Sequence, residues 1–270
     1  MTPAEFRRKL HAGDTLFGTL IVSPSPHWPD AIRDSGLDFV FIDTEHIALD
    51  RMQLAWMCHT YASRGLPPLV RIPSPDPYTA TVALDGGAAG VIAPYVESAE
   101  QVVALRGAAK MRPIKGRKLQ AMLDGGVTEP QLESYVQDAA NNRVLVVNIE
   151  SVPAIEALPQ ILDVPGLDSV LIGPHDLSCS LGLPEQYGHP KFLEACETIF
   201  RQARNAGIGA GIHYWGTAQE QARFHAMGAN MLIHSADITL FKKHLRAELE
   251  AVRKETGQVK QEMATAVLNI

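Results

Sequence analysis

Eight short runs of β-branched and apolar residues, separated by longer amphipathic stretches, constrain this 270-residue chain more than any other feature. In order they are TLFGTLIV from Thr15, FVFID from Phe39, PLVRI from Pro68, GVIAPYV from Gly90, RVLVVNIE from Arg143, SVLIGP from Ser169, GIGAGIHY from Gly207 and MLIHSAD from Met231. Several are apolar at consecutive positions, so both faces of the strand need cover, as in a parallel sheet. The stretches between them read as helices. LDRMQLAWMCHTYASRG places Met52, Leu54, Ala55, Met57 and Cys58 near one face and stops at Gly65, SAEQVVALRGAAKM opens with the Ser98/Gln101 capping-box spacing, and KFLEACETIFRQARNAG stops at Gly207. Eight strand–helix units predict closure into a (β/α)8 TIM barrel, because an open doubly wound sheet usually has fewer strands. A single domain over 1–270 follows, since such barrels form one core from about 250 residues.

One connection is longer than the rest, from about Arg112 to Asn142. It starts RPIKGRKLQ and contains a helical pattern over Glu129–Ala140, which suggests an ordered insertion serving as a lid or subunit contact. From about Thr256 the chain follows the last helix without a strand signal and is expected to dock on a neighbour or to move. Charged residues make up 20% and the net charge is −6, so composition gives no support to nucleic-acid or acidic-membrane binding. No run approaches the roughly 18 apolar residues of a membrane span and MTPAEFRRKL lacks a signal-peptide core, so a cytoplasmic protein is expected. Cys58, Cys179 and Cys196, odd in number and scattered, read as buried or incidental thiols. GGAAG at Gly86 precedes a strand, the wrong place for a dinucleotide fingerprint.

In a parallel barrel the chemistry sits at the C-terminal ends of the strands. There the sequence puts Asp43-Thr44-Glu45-His46, Arg71, Glu150 and Gly173-Pro174-His175-Asp176, with His213 and Asp237 near the ends of the last two strands. Glu150 and Asp176 can hold a hard divalent cation that keeps water or substrate oxygens as its other ligands, although Asp176 alone also suits a helix N-cap. Mg²⁺ or Mn²⁺ fits such a pair best, with Co²⁺ or Zn²⁺ as alternatives. Arg71, costly at the end of an apolar strand, either clamps a developing enolate oxygen or forms an ion pair with Asp43 or Glu45. His46 has the ordinary pKa of a general base, against the simpler reading of a loop histidine. Backbone N–H groups around Gly173 and Asp176 are placed to meet a substrate carboxylate. His175, His213, His234 and Asp237 read as structural or peripheral.

At these residues the sequence resembles the HpcH/HpaI aldolase family, the class II pyruvate aldolases typified by 4-hydroxy-2-oxoheptanedioate aldolase. The resemblance runs through GTLIVSPSP, GLDFVFIDTEH, PLVRIPSPD, ALDGGAAGVIAPYV, VNIES and GLDSVLIGPHDLSCSLG. It implies a metal on Glu150 and Asp176, chelated by a 2-oxo acid through its carboxylate and ketone oxygens. It also implies His46 as acid/base, Arg71 as stabiliser of the pyruvate enolate, and Asp85 as an aspartate that raises the histidine's basicity, commonly from the adjoining subunit. Asn148 falls near the substrate carboxylate, and a backbone contact to substrate falls on His175. Homo-oligomers, hexamers or trimers, with exchange of the last helix belong to the same implication, as does a place in aromatic compound catabolism. Four departures surround the site: Asn148 where Gln is frequent, Leu20 for a common Trp, Gly116-Arg117-Lys118 for Arg-Gly, and His175 for a small residue. They bear on which aldehyde is accepted and on the fate of the enolate.

The expected reaction is reversible cleavage of a 4-hydroxy-2-oxo acid to pyruvate, or a related 2-oxo acid, and an aldehyde. The enzyme alternative is a condensing or decarboxylating relative using the same enolate, like a citrate synthase or an oxaloacetate decarboxylase. A non-catalytic oxo-acid sensor would not need a positioned base, which argues against it.

Overall fold

The computed structural model describes residues 1–126 and 128–258. All eight runs are strands: β1 (Leu16–Ile21), β2 (Phe39–Asp43), β3 (Pro68–Arg71), β4 (Gly90–Ala93), β5 (Val144–Asn148), β6 (Ser169–Ile172), β7 (Gly209–Tyr214) and β8 (Met231–Ala236). Each pairs in parallel with the next, and β8 closes on β1, giving the expected (β/α)8 barrel.

Alternation along the strands divides the core in two. Phe39 and Phe41, Leu69, Ile92, Val144 and Val146, Leu171, Met231 and Ile233 form the cluster inside the barrel. Their neighbours Val40, Ile42, Val70, Val91, Leu145, Val147, Val170 and Ile172 pack outward against helices. The same parity carries Asp43, Arg71, Asn148, Glu150 and His213 to the inward side at the C-terminal ends, above the apolar layers. Burial of these polar groups is therefore a consequence of strand register.

The Asp50/Gln53 and Ser98/Gln101 capping boxes start the helices Arg51–Ser63 and Ala99–Lys110. Gly65 and Gly207 lie at φ 76° and 77° just beyond the helices Arg51–Ser63 and Pro190–Asn205, where a left-handed residue ends the turn. The helix Pro3–Ala12, not anticipated from periodicity, closes the N-terminal end of the barrel with Phe6 and Leu10 fully buried in the interior cluster. Beside it Asp168, fully buried, accepts from Arg7 Nε at 2.6 Å, Lys110 Nζ at 2.5 Å and Leu145 N at 2.8 Å. Burial raises the Asp168 carboxyl, but hydrogen bonds and the cations Lys110 and Arg7 prevail and hold it at about 2.

The 112–142 connection contains two helices, Gly116–Leu123 and Pro130–Asn141; the first escaped the sequence reading. It follows a helix that descends from β4 and leads into the start of β5, so it lies at the N-terminal end of the barrel. A lid over the barrel's own mouth is thereby ruled out, because βα connections, and not αβ connections, border that mouth. The last helix, Asp237–Glu255, is exposed beyond Asp237, and Ile238, Phe241, Leu245 and Val252 repeat at helical spacing along an uncovered face. Most of the tail expected from about 256 falls on 259–270, outside the described residues. Among the described residues, no helix is long and apolar enough to cross a membrane.

Candidate active site

A cavity of about 360 Å³ opens at the C-terminal mouth of the barrel. Phe41, His46 and Arg71 form one side, Asn148, Gly173, Pro174, His175 and Asp176 the opposite side, and His213 and Trp215 a third. Leu20, expected to help shape this space, is instead buried in the barrel interior and does not line it.

Arg71 is held from behind. Its Nε donates to Asp43 Oδ1 at 2.8 Å and one NH2 proton to Asp43 Oδ2 at 2.6 Å, a bidentate pair set by the direct Asp43–Arg71 register of β2 and β3. Glu45 Oε2 lies 3.1 Å from the same Nε as a charge contact without an aligned hydrogen bond, since that N–H already points at Asp43. The ion-pair reading of Arg71 is thus satisfied, yet it does not exhaust the side chain. Two of five N–H groups are used, and the guanidinium lines the cavity with the remaining three unclaimed among the described residues. Burial works against its charge, but hydrogen bonding to Asp43 and the charges of Asp43 and Glu45 raise its pKa above the ordinary arginine value. For Asp43, burial raises the pKa, and Arg71 pulls it below the usual carboxylate value.

Glu150 sits two residues beyond β5, with the inward parity of that strand. Its Oε1 accepts from Tyr95 N at 2.8 Å and its Oε2 from Asn148 Nδ2 at 2.8 Å. Burial pushes the carboxyl up to about 7 against these hydrogen bonds, and the nearby negative charge of Asp176 adds to the rise. Tyr95 adopts φ 54°, which turns its N–H to Glu150. Nothing in the sequence signalled this role, because a positive φ at tyrosine leaves no residue-type mark. Asp176 lies in the first turn of the helix Pro174–Ser180, whose N-cap is Gly173; the N-cap reading therefore fails. No ion pair or hydrogen bond to the Asp176 carboxylate exists among the described residues.

These features fit a divalent cation. Two carboxylates converge without a lysine or arginine partner, one buried and held by hydrogen bonds that orient it. A Cβ at Gly173 would stand 2.4 Å from Glu150 Oε2, so only glycine leaves room for that oxygen where it lies. Among the described residues no group of three or more His, Cys, Asp or Glu could hold a metal, so water or ligand oxygens would complete the shell, as hard cations accept.

His46 is half-exposed at the cavity edge, its Nε2 3.7 Å from Glu45 Oε1. Asp85 lies elsewhere: it ends the helix Pro77–Asp85 at the N-terminal side of the barrel and pairs with Arg112. Within one chain it cannot meet His46. His175 lines the cavity with its Nδ1 3.9 Å from Glu185 Oε1. Of the remaining candidates, Asp237 is structural, accepting from Val22 N and Ser23 N at 3.0 Å each, and His234 faces outward against Gln221. Cys58 and Cys196 are buried, with burial pushing both thiols up to about 12, while Cys179 is exposed; all three are free.

A parallel barrel whose mouth sets an anchored guanidinium and a histidine against two convergent carboxylates is an enzyme site for a small, oxygen-rich anion. The chain belongs to the HpcH/HpaI aldolase/citrate lyase family, whose model matches residues 20–243. It is 31% identical over 253 residues to a 2-keto-3-deoxy-L-rhamnonate aldolase of Klebsiella pneumoniae, covering 94% of each chain. Among solved structures it is similar to an HpcH/HpaI aldolase from Desulfitobacterium hafniense DCB-2, with TM-score 0.79 and 28% identity over 92% of this chain and 96% of that one. The citrate synthase SbnG matches with the same TM-score and identity, over 94% and 98%.

Proposed function

We propose that this protein is a divalent-metal-dependent aldolase that reversibly cleaves a 4-hydroxy-2-oxo acid to pyruvate, or a related 2-oxo acid, and an aldehyde. The observation that carries this is Arg71: Asp43 fixes the guanidinium from one side, and its unclaimed N–H groups face the cavity that Asn148 and Asp176 line from the other. That is the geometry of a preorganised donor for an oxygen that gains negative charge.

Glu150 and Asp176 would hold the cation, Mg²⁺ or Mn²⁺ by the hardness of their oxygens. When bound, it supplies Lewis-acid polarisation of the oxo acid's oxygens. Arg71 then hydrogen-bonds the C2 oxygen as it becomes an enolate. His46 takes the proton of the 4-hydroxyl, directly or through a water, the C3–C4 bond breaks, and its electron pair enters the enolate as the aldehyde forms. Protonation at C3 gives the 2-oxo acid. Asn148 and the backbone of Gly173 to Asp176, His175 in particular, would orient the substrate carboxylate. The relative's name, 2-keto-3-deoxy-L-rhamnonate aldolase, supports a deoxy sugar acid over a product of aromatic ring cleavage.

Asp85 completes His46 in this reading only from a neighbouring subunit, which requires a homo-oligomer. The uncovered apolar face of Asp237–Glu255 supports one, with that helix docking on a neighbouring copy in a trimer or hexamer. The likeness to SbnG favours one alternative, condensation of the same enolate to a citrate-like acid. Assays of pyruvate release from 4-hydroxy-2-oxo acids, of oxaloacetate decarboxylation and of citrate formation separate the readings. Pyruvate release that survives exhaustive chelation would refute the metal-dependent mechanism.

A further inference from the structure

His213 is the inward residue near the end of β7, and its surroundings determine which of its atoms meets a ligand. Its Nε2 lies 3.0 Å from the carbonyl oxygen of Ser235, an acceptor only, so Nε2 carries the proton and donates. Ser235 itself adopts φ 54°, a left-handed conformation unusual outside glycine. The ring packs edge-to-face on Phe41 and on Trp215, with centroids 5.4 Å away in each case, which holds it between them. Burial lowers its pKa to about 4, and the Arg71 charge pushes the same way, so the imidazole is neutral at physiological pH.

The other nitrogen, Nδ1, is then a lone-pair acceptor. It makes no hydrogen bond among the described residues, yet it is not one of the solvent-inaccessible polar atoms left without a partner. Since His213 lines the cavity, that is where Nδ1 is accessible. Asn148 Oδ1 on the same cavity also lacks a partner, but it is closed off from solvent, so His213 Nδ1 is the acceptor a ligand can reach. The site thus offers one accessible acceptor, His213 Nδ1, that water or a ligand hydroxyl must satisfy, beside rings that favour carbon.

We propose that His213 is a specificity-determining residue that accepts a hydrogen bond through Nδ1 from a hydroxyl on the aldehyde half of the substrate, selecting α-hydroxyaldehydes over alkyl aldehydes. This rests on the aldolase reading above. An apolar side chain of similar bulk would fill the space between Phe41 and Trp215 without that discrimination, so the residue type carries the effect.

Lactaldehyde and propanal differ by one hydroxyl, and each is tested as acceptor for pyruvate with the Mn²⁺-loaded wild-type enzyme and with His213→Leu and His213→Asn. The ratio of kcat/KM for lactaldehyde to that for propanal is expected to fall about 10- to 100-fold in His213→Leu, the loss of one buried hydrogen bond. His213→Asn, whose Oδ1 can stand in for Nδ1, should retain most of the preference. An unchanged ratio in His213→Leu overturns the proposal, and so does a wild-type ratio at or below one, which needs no variant to fold. Product from neither aldehyde in the wild type refutes the aldolase reading itself, whereas product from both at an unaltered ratio refutes only the role of His213.

Discussion

Arg71→Ala tests the catalytic reading and the energetics of the site together. The substitution removes a guanidinium whose side chain is 12% exposed and leaves behind Asp43, fully buried, and Glu45, 8% exposed. Stripping one partner from a buried ion pair costs about 3 to 5 kcal/mol, because the surviving charge keeps its desolvation penalty. At about 2 to 4 °C per kcal/mol for a chain of this size, the melting temperature should fall by about 6 to 20 °C. Burial, the largest influence on Asp43, is then opposed mainly by the hydrogen bond from Glu45 N, so its pKa rises, and the variant should lose less stability at acid pH than at neutral pH. Loss of a preorganised donor to the enolate oxygen costs a further 2.7 to 4 kcal/mol or so in the transition state, about 10²- to 10³-fold in turnover. Pyruvate release coupled to NADH oxidation, corrected for folded enzyme below the melting transition, measures this. Arg71→Lys restores charge without the two-pronged fit to Asp43 and should recover stability more than rate. Turnover per folded Arg71→Ala molecule within a few-fold of wild type would refute the role given to the guanidinium.

Metal binding should weaken as the pH falls. Glu150 titrates at about 7, so below that pH the cation must displace a proton, and apparent Mn²⁺ affinity should drop up to about tenfold per pH unit, with proton release on binding visible by calorimetry in buffers of different ionisation heat. Gly173→Ala puts a Cβ 2.4 Å from Glu150 Oε2 and should lower Mn²⁺ affinity at least tenfold or so with the fold intact by circular dichroism. Asp168→Asn should destabilise the protein by about 3 to 5 kcal/mol while leaving turnover per folded molecule unchanged, since Arg7 and Lys110 lose their counter-charge at the end of the barrel remote from the site. Because the Asp168 pKa is depressed in the fold, its stabilisation is full above the unfolded value near 4 and is lost as pH falls toward 2, which acid titration of wild type against variant will reveal. Phe241→Glu with Leu245→Glu on the uncovered helical face should shift the protein toward monomer in light scattering and reduce activity.

The barrel was legible in the sequence because burying a strand on both faces demands a continuous apolar run, and eight such runs in alternation with helices leave few other solutions. So was the list of polar residues at the strand ends: Arg71, Glu150, Asp176 and His46 stand out where apolar residues are the rule. Their relations were decided only by the tertiary structure. Direct register between β2 and β3 turns Asp43 into the backing of Arg71, and the φ of Tyr95 brings a backbone N–H to Glu150. Neither follows from residue type, because register and a single left-handed residue are set by packing across the barrel. The family resemblance brought Asp85 toward the site, commonly from an adjoining subunit, and the length of the 112–142 connection suggested a lid or a subunit contact; helix direction carries both to the other end of the barrel of their own chain. His213 shows the same division. Its place near the end of β7 could be read from the sequence, but its fixed tautomer and accessible nitrogen come from Ser235, Phe41 and Trp215, contributed by β8, β2 and the loop after β7, which only folding makes neighbours.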